Sequence, residues 1–257
     1  MLVATALLVI SATVGCGSNG GAGESQNADV GGARVSWGEP AGGHPTALVM
    51  LIHGGGWRAS ESGYEEQKRN AVSFQREGYA TVAIDYDEGV KGFRQIVDVY
   101  KAARERYPGL PICASGISAG GNFSLMLAAR EPDLDCVLAL VAPTDLTSLA
   151  EQDPEGDEAY RAAVATLGKD QLAKFSPVRY ANRIKARVLL VVAETDPIVP
   201  ADQGRELAQA LPGAQLLVLP PGPVHAEWAH YGGVQPNARN IVLERDFEFL
   251  KQATHGR

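Results

Sequence analysis

The sequence predicts an α/β protein, a mostly parallel sheet with helices on both faces, and three observations predict it. Short, continuously apolar runs recur along the chain, as strands covered on both faces require. Stretches of helical period separate them. The residues able to do chemistry fall just past the ends of those runs, where open α/β sheets bind their ligands.

The elements follow in order. A short edge strand is predicted at Ala33 to Trp37, then a Gly/Pro turn from Gly38 to Pro45. Ala47 to Ile52 (ALVMLI) reads as a core strand that ends at His53-Gly54-Gly55-Gly56-Trp57. A helix about Tyr64 to Glu77, a strand Ala80 to Asp85 and a helix around Phe93 to Tyr107 come next. Ile112 to Arg130 reads as strand, sharp turn and helix; a strand Cys136 to Val141 then stops at Pro143. Between 143 and 185 the alternation lapses, with a helix-like Ala159 to Leu167, and an insertion here would sit over the pocket as a small cap. Strand Arg187 to Ala193, helix Asp202 to Leu211, strand Gln215 to Leu219 and a helix from Asn237 to Gln252 complete the pattern.

The turn at Gly116-Ile117-Ser118-Ala119-Gly120 organises the rest. Where a strand folds straight back into a helix, a side chain at either flank would strike neighbouring backbone, so glycine is needed and Ser118 is pushed out over the sheet end. The same G-x-S-x-G also occurs in ordinary turns, so the motif needs context. A serine hydroxyl is a poor nucleophile and requires a base, and the base an orienting acid. His225 follows the last strand on the stiff Pro220-Pro221-Gly222-Pro223 and is preferred as base over His230; His44 and His255 lack a rigid mount. Asp196, directly after a buried strand, is preferred as acid over Glu194 and Asp145, with a cap or turn role as its bland reading. The side-chain-free loop at Gly55 and Gly56, with the Ala119 amide at a helix N-terminus, supplies candidate oxyanion donors. His53, Trp57 and Ile117 are candidate pocket residues.

At 257 residues the chain is most simply one large domain, taken as 33–257, behind an N-terminal tail. A net charge of −7 argues against nucleic acid and against attraction to anionic membranes. Leu2 to Val14 is uncharged, too short to span a bilayer and suited to an export signal. With Gly15-Cys16 it resembles a bacterial lipoprotein signal, which implies residues 1–15 as signal, lipidation at Cys16, a tether over 16–32, and attachment to the outer face of the cytoplasmic membrane. The chain departs from that pattern in having no Lys or Arg before the apolar run and Thr13 where Leu is usual; a cleaved signal that loses Cys16, leaving a periplasmic or secreted protein, and a plain disordered N-terminus are the alternatives. Cys113 and Cys136 read as two buried free thiols, because bonds between adjacent parallel strands are uncommon. The acidic run Glu151 to Glu158 reads as a solvated loop rather than a cation site, and no metal or cofactor is expected.

Together, IHGGGW (Ile52 to Trp57), AIDY (Ala83 to Tyr86), GISAGGN (Gly116 to Asn122), DPIVP (Asp196 to Pro200) and PGPVH (Pro221 to His225) resemble the α/β-hydrolase family, esterase/lipase branch. Ile117 stands where the hormone-sensitive-lipase branch usually has Asp, and the chain before Ala47 is too short for that branch's N-terminal cap; small carboxylesterases, feruloyl-esterase-like and arylformamidase-like relatives fit better. The resemblance implies the α/β-hydrolase fold and cleavage of a small-molecule carboxylic ester through an acyl-enzyme carried by Ser118, Asp196 and His225. An amidase, peptidase or arylformamidase-like hydrolase, and an inactive surface-binding lipoprotein, are the competing readings.

Overall fold

The computed structural model describes residues 25–149, 158–220 and 236–254. Cys16, the acidic residues 151–157 and both candidate bases, His225 and His230, lie outside the described residues.

Eight strands form one sheet: β1 (Gln26–Val30), β2 (Ala33–Gly38), β3 (Leu48–Ile52), β4 (Ala80–Asp85), β5 (Ile112–Ile117), β6 (Cys136–Leu140), β7 (Arg187–Ala193) and β8 (Gln215–Leu219). Their order across the sheet is β1-β2-β4-β3-β5-β6-β7-β8. From β4 onward every neighbouring pair is parallel, whereas β2 runs antiparallel to both β1 and β4. The chain goes from β3 outward to β4 and then back across to β5, so the order reverses between β3 and β5. Such a reversal leaves a crevice at the carboxyl ends of the two strands.

Neighbouring side chains along each central strand enter opposite layers. Leu48, Met50 and Ile52 join the layer covered by α2 (Gly89–Arg106) and α3 (Ala119–Arg130). Val49 and Leu51 join Phe74 of α1 (Glu61–Arg76) and Phe249 and Leu250 of α6 (Pro236–Thr254) on the other side. With both faces covered, the central strands have no polar side to show, hence the unbroken apolar runs. Helix α1 starts at Glu61, ahead of the predicted Tyr64, because the Ser60 hydroxyl caps it, accepting the Gly63 amide at 3.1 Å. The region after β6 contains α4 (Glu158–Thr166) and two 3-10 helices, Lys169–Phe175 and Pro177–Arg183, before β7 and α5 (Ala201–Ala210).

Two expectations are corrected. Residues 26–32 are not tether: Gln26–Val30 pairs with β2 as a hairpin whose turn is Gly31 and Gly32, at φ 60° and 82°. Both turn positions need positive φ, which glycine adopts without penalty, and the tight turn matches the twist of the strands. Cys113 and Cys136 are not free thiols but a disulfide. They are direct partners in the β5–β6 register with Cα atoms 4.5 Å apart, a placement that brings two adjacent parallel strands within bonding reach.

Candidate active site

Ser118 sits between β5 and α3 at φ 52°, ψ −119°, a backbone conformation that L-residues avoid and that is held here by its surroundings. Its amide donates to the Leu140 carbonyl at 2.8 Å and its carbonyl accepts from the Asn122 amide at 3.0 Å, so β6 fixes one side of the turn and α3 the other. A Cβ on Gly116 would lie 2.2 Å from the Gly120 carbonyl oxygen, and one on Gly120 2.2 Å from the oxygen of Ile52. The elbow therefore closes only with hydrogen at both positions, and Ser118 is left half-buried facing a cavity of about 580 Å³.

The loop after β3 forms the facing wall. A Cβ on Gly54 would come within 3.4 Å of the Ser118 Cβ, so the loop backbone passes directly over the hydroxyl-bearing carbon. Gly55 and Gly56, at φ 105° and 65°, and Trp57 at φ 62° bend it around the cavity that all three line. The loop carbonyls are held from behind. The Tyr86 hydroxyl donates to the His53 oxygen at 2.8 Å, the Gly89 amide to the Trp57 oxygen at 2.8 Å, and the Thr166 hydroxyl of α4 lies 3.2 Å from the Gly56 oxygen. His53 Nδ1 lies 2.6 Å from the Gly54 oxygen, to which the ring N–H donates. Because a trans peptide points its N–H opposite its C=O, that bond aims the Gly55 amide away from the ring, and Gly55 lines the cavity.

His53 itself does not line the cavity, contrary to the expectation from sequence. It is fully buried and stacked on Tyr86 at a ring-centroid distance of 4.1 Å, with Nε2 3.9 Å from Asp85 Oδ1. Burial lowers its pKa below the ordinary histidine value; the Gly54 carbonyl and Asp85 oppose that only in part. The ring is therefore a neutral strut. Trp57 lines the cavity, as expected, and its buried indole donates from Nε1 to Asn122 Oδ1 at 3.0 Å. Asn122 uses its remaining polar atoms fully: Nδ2 donates to the Pro143 oxygen at 3.0 Å and the Phe175 oxygen at 2.9 Å. One buried carboxamide thus joins the glycine loop, the elbow helix, the loop after β6 and the first 3-10 helix. Ile117 lines the cavity beside Ser118, and Ala119 opens α3 with its amide at the helix N-terminus.

Asp196 is positioned by a different device. Its Oδ1 accepts the amides of Ile198 at 2.8 Å and Val199 at 2.9 Å, a local turn at the end of β7 that fixes the carboxylate, and Ile198 lines the cavity. The two rivals are committed elsewhere. Glu194 is paired with Arg205, on α5. Burial of Asp145 opposes its ionisation, but hydrogen bonds from the Thr147 hydroxyl and amide and the Ser148 amide outweigh it and lower its pKa. The turn-residue role weighed for Asp196 is thus real, and it is also what an orienting acid requires. Tyr86, Asn122 and Thr166 carry parts of the site that sequence reading gave no role; the first two stood inside the AIDY and GISAGGN motifs, which was the signal available.

The family model for BD-FAE matches residues 38–211, which include the glycine loop, the elbow and Asp196. The chain belongs to the BD-FAE family. Human monoglyceride lipase is 25% identical over 172 residues, 61% of this chain and 54% of that protein, so the match spans about half the length of that relative. Among solved structures, carboxyl esterase 2 of Tuber melanosporum superposes with a TM-score of 0.71 at 19% identity, covering 93% of this chain and 89% of that one. The Pyrococcus horikoshii acylaminoacyl peptidase gives 0.73 at 17% identity over 92% of this chain but 42% of its own. At these identities the superpositions speak to the fold alone, and the fold is that of an α/β-hydrolase. The chain is thus a BD-FAE family member with the α/β-hydrolase fold.

Proposed function

We propose that this BD-FAE family member is a serine esterase that cleaves small carboxylic esters through an acyl-enzyme. The observation that carries the reading is Ser118, held at positive φ by β6 and α3 and facing a glycine loop whose carbonyls are tied back. Ser118 Oγ attacks the ester carbonyl while His225 takes its proton, and Asp196 orients the imidazole and stabilises its charged form. The tetrahedral oxyanion is met by the amides of Gly55, Gly56 and Ala119; His225 then protonates the departing alcohol, and water repeats the sequence on the acyl-enzyme. Since the base must be neutral, kcat/KM rises with pH through the histidine range, roughly pH 6 to 7.5.

The cavity is rimmed by Arg58, Glu66 and Arg69 as well as by Ala159 and Ala162 of α4, which favours compact, partly polar esters over long acyl chains. Export with a lipid anchor at Cys16 belongs to the same proposal. The Cys113–Cys136 bond supports it, since such bonds persist mainly in oxidising compartments. None of the described helices is long and apolar enough to cross a membrane.

The experiment is a chain-length series of p-nitrophenyl esters with wild type and Ser118→Ala. Short esters are expected to be hydrolysed fastest, and Ser118→Ala to lose essentially all of that turnover. Turnover of N-formylkynurenine-like amides alone would move the reading to an amidase, and no turnover of either class would leave a binding protein. Comparing His225→Ala with His230→Ala assigns the base; an equal or larger loss in the second would reverse the assignment.

A further inference from the structure

A second cavity, of about 450 Å³, lies between α2, α3 and the two 3-10 helices and shares no lining residue with the Ser118 cavity. Its apolar lining includes Phe93, Met126 and Phe175, each buried, and the half-buried Tyr180. Phe93 and Phe175 meet edge to face at a centroid distance of 5.4 Å, giving one rigid wall. Its charged lining is of one sign: Arg94, Arg130, Lys174 and Arg183, with no acidic residue among the described lining residues. That is unusual in a chain of net charge −7. Arg130 is partly satisfied by Glu131 at 3.4 Å and Arg183 lies over the Tyr180 ring at 5.2 Å, but Arg94 and Lys174 have no ion pair among the described residues.

Four cations lining one cavity repel one another, and the apolar floor they border can seat a hydrocarbon body, so one ligand would suit both: an anion carried on an apolar body. Guanidinium groups present paired donors that match a carboxylate. The volume is that of a small-molecule site rather than an extended face. We infer that this cavity binds a free amphipathic carboxylate, its chain on Phe93, Met126 and Phe175 and its head among Arg94, Lys174 and Arg183. Binding here is independent of the esterase reading, because none of these residues lines the Ser118 cavity.

Decanoate, below its micelle concentration, is the probe. Calorimetric titration of Ser118→Ala protein is compared with the same protein also carrying Arg94→Glu and Arg183→Glu. The reversal is expected to weaken one binding event by about tenfold or more, as loss of charge-assisted hydrogen bonds would. Decanol is expected to bind at least about tenfold more weakly than decanoate, since it lacks the charge. Turnover of a short p-nitrophenyl ester by Arg94→Glu/Arg183→Glu with Ser118 intact stays within about twofold of wild type, both positions being exposed and outside the Ser118 cavity. Unchanged decanoate affinity in the reversal, decanol binding as tightly as decanoate, or capture by anionic phospholipid vesicles with no decanoate binding would each overturn the assignment. If the reversal does not fold, Arg94→Gln with Arg183→Gln tests the same bonds with a smaller perturbation and the same expected direction.

Discussion

The two halves of the candidate site are held by different means. On the nucleophile side, parts far apart in sequence are tied together: Tyr86 to the His53 carbonyl, Gly89 to the Trp57 carbonyl, Trp57 to Asn122, and Asn122 onward to Pro143 and Phe175. On the acid side Asp196 is oriented by the amides of its own turn, Ile198 and Val199. On the proposed mechanism, geometry that must hold amides ready for a charge not yet formed is thus braced by several packed elements, while a carboxylate that need only face one ring is fixed by its own turn. The first half should be sensitive to distant substitutions and the second only to local ones.

Asp196→Asn tests the local half most severely. It preserves the shape of the turn but removes the charge, and kcat is expected to fall by about 10⁴-fold, as happens when the orienting acid of a triad is neutralised. A loss below about tenfold would move the role to Glu194 or Asp145. On the braced half, Asn122→Leu should lower kcat by about 10- to 100-fold with KM nearly unchanged, since an apolar side chain of similar size leaves the Trp57 indole N–H and the Pro143 and Phe175 carbonyls without their partner and releases the loop proposed to carry the oxyanion donors. Trp57→Phe, which removes the indole N–H together with part of the buried ring, should cost about tenfold in kcat. The double variant should fall well short of the summed cost, because both changes break the same bond. Additive losses, or losses confined to KM, would show that Asn122 does not act through the loop.

Removing the cross-link between β5 and β6 should leave chemistry alone. Cys113→Ala with Cys136→Ala is expected to cost about 3 kcal/mol of stability in a denaturant titration while kcat stays within about twofold, since the pair closes a loop of separation 23 beneath the site rather than in it. The smallest effect concerns His53. Its folded-state pKa is depressed by burial, so between that value and the unfolded value near 6.5 the unfolded chain binds the extra proton. Its contribution to stability is therefore complete above about pH 6.5 and is lost as pH falls below it. Melting midpoints from pH 7.5 to 5 should drop more steeply for wild type than for His53→Gln, and parallel curves would remove the neutral-strut role.

Much of this was legible in the sequence, for physical reasons that differ by element. The central strands are covered on both faces, so ALVMLI and its counterparts are unmistakable, and the glycines of the elbow declare themselves because only hydrogen fits against Ile52 and Gly120. The hairpin at Gln26–Val30 was missed because QNADV is exposed and has no apolar alternation, although Gly31-Gly32 was the turn signal that could have found it. The disulfide depends on register: Cys113 and Cys136 sit opposite one another only once β5 and β6 are aligned. His53 was expected in the pocket because it begins the glycine loop; that it turns inward to Tyr86 is a matter of packing across β3 and β4 that no local pattern records. The long-range ties of Asn122 escaped for the same reason, whereas the turn that holds Asp196 is local and was readable.

The central claim is that Ser118 is the nucleophile, and the direct measurement is covalent capture. Native protein treated with a fluorophosphonate and digested for mass spectrometry should carry one phosphonyl group, on the peptide that contains Ser118, in step with the loss of ester hydrolysis, and Ser118→Ala should take up none. Labelling at another residue while hydrolysis disappears, or full hydrolysis by Ser118→Ala, would contradict it.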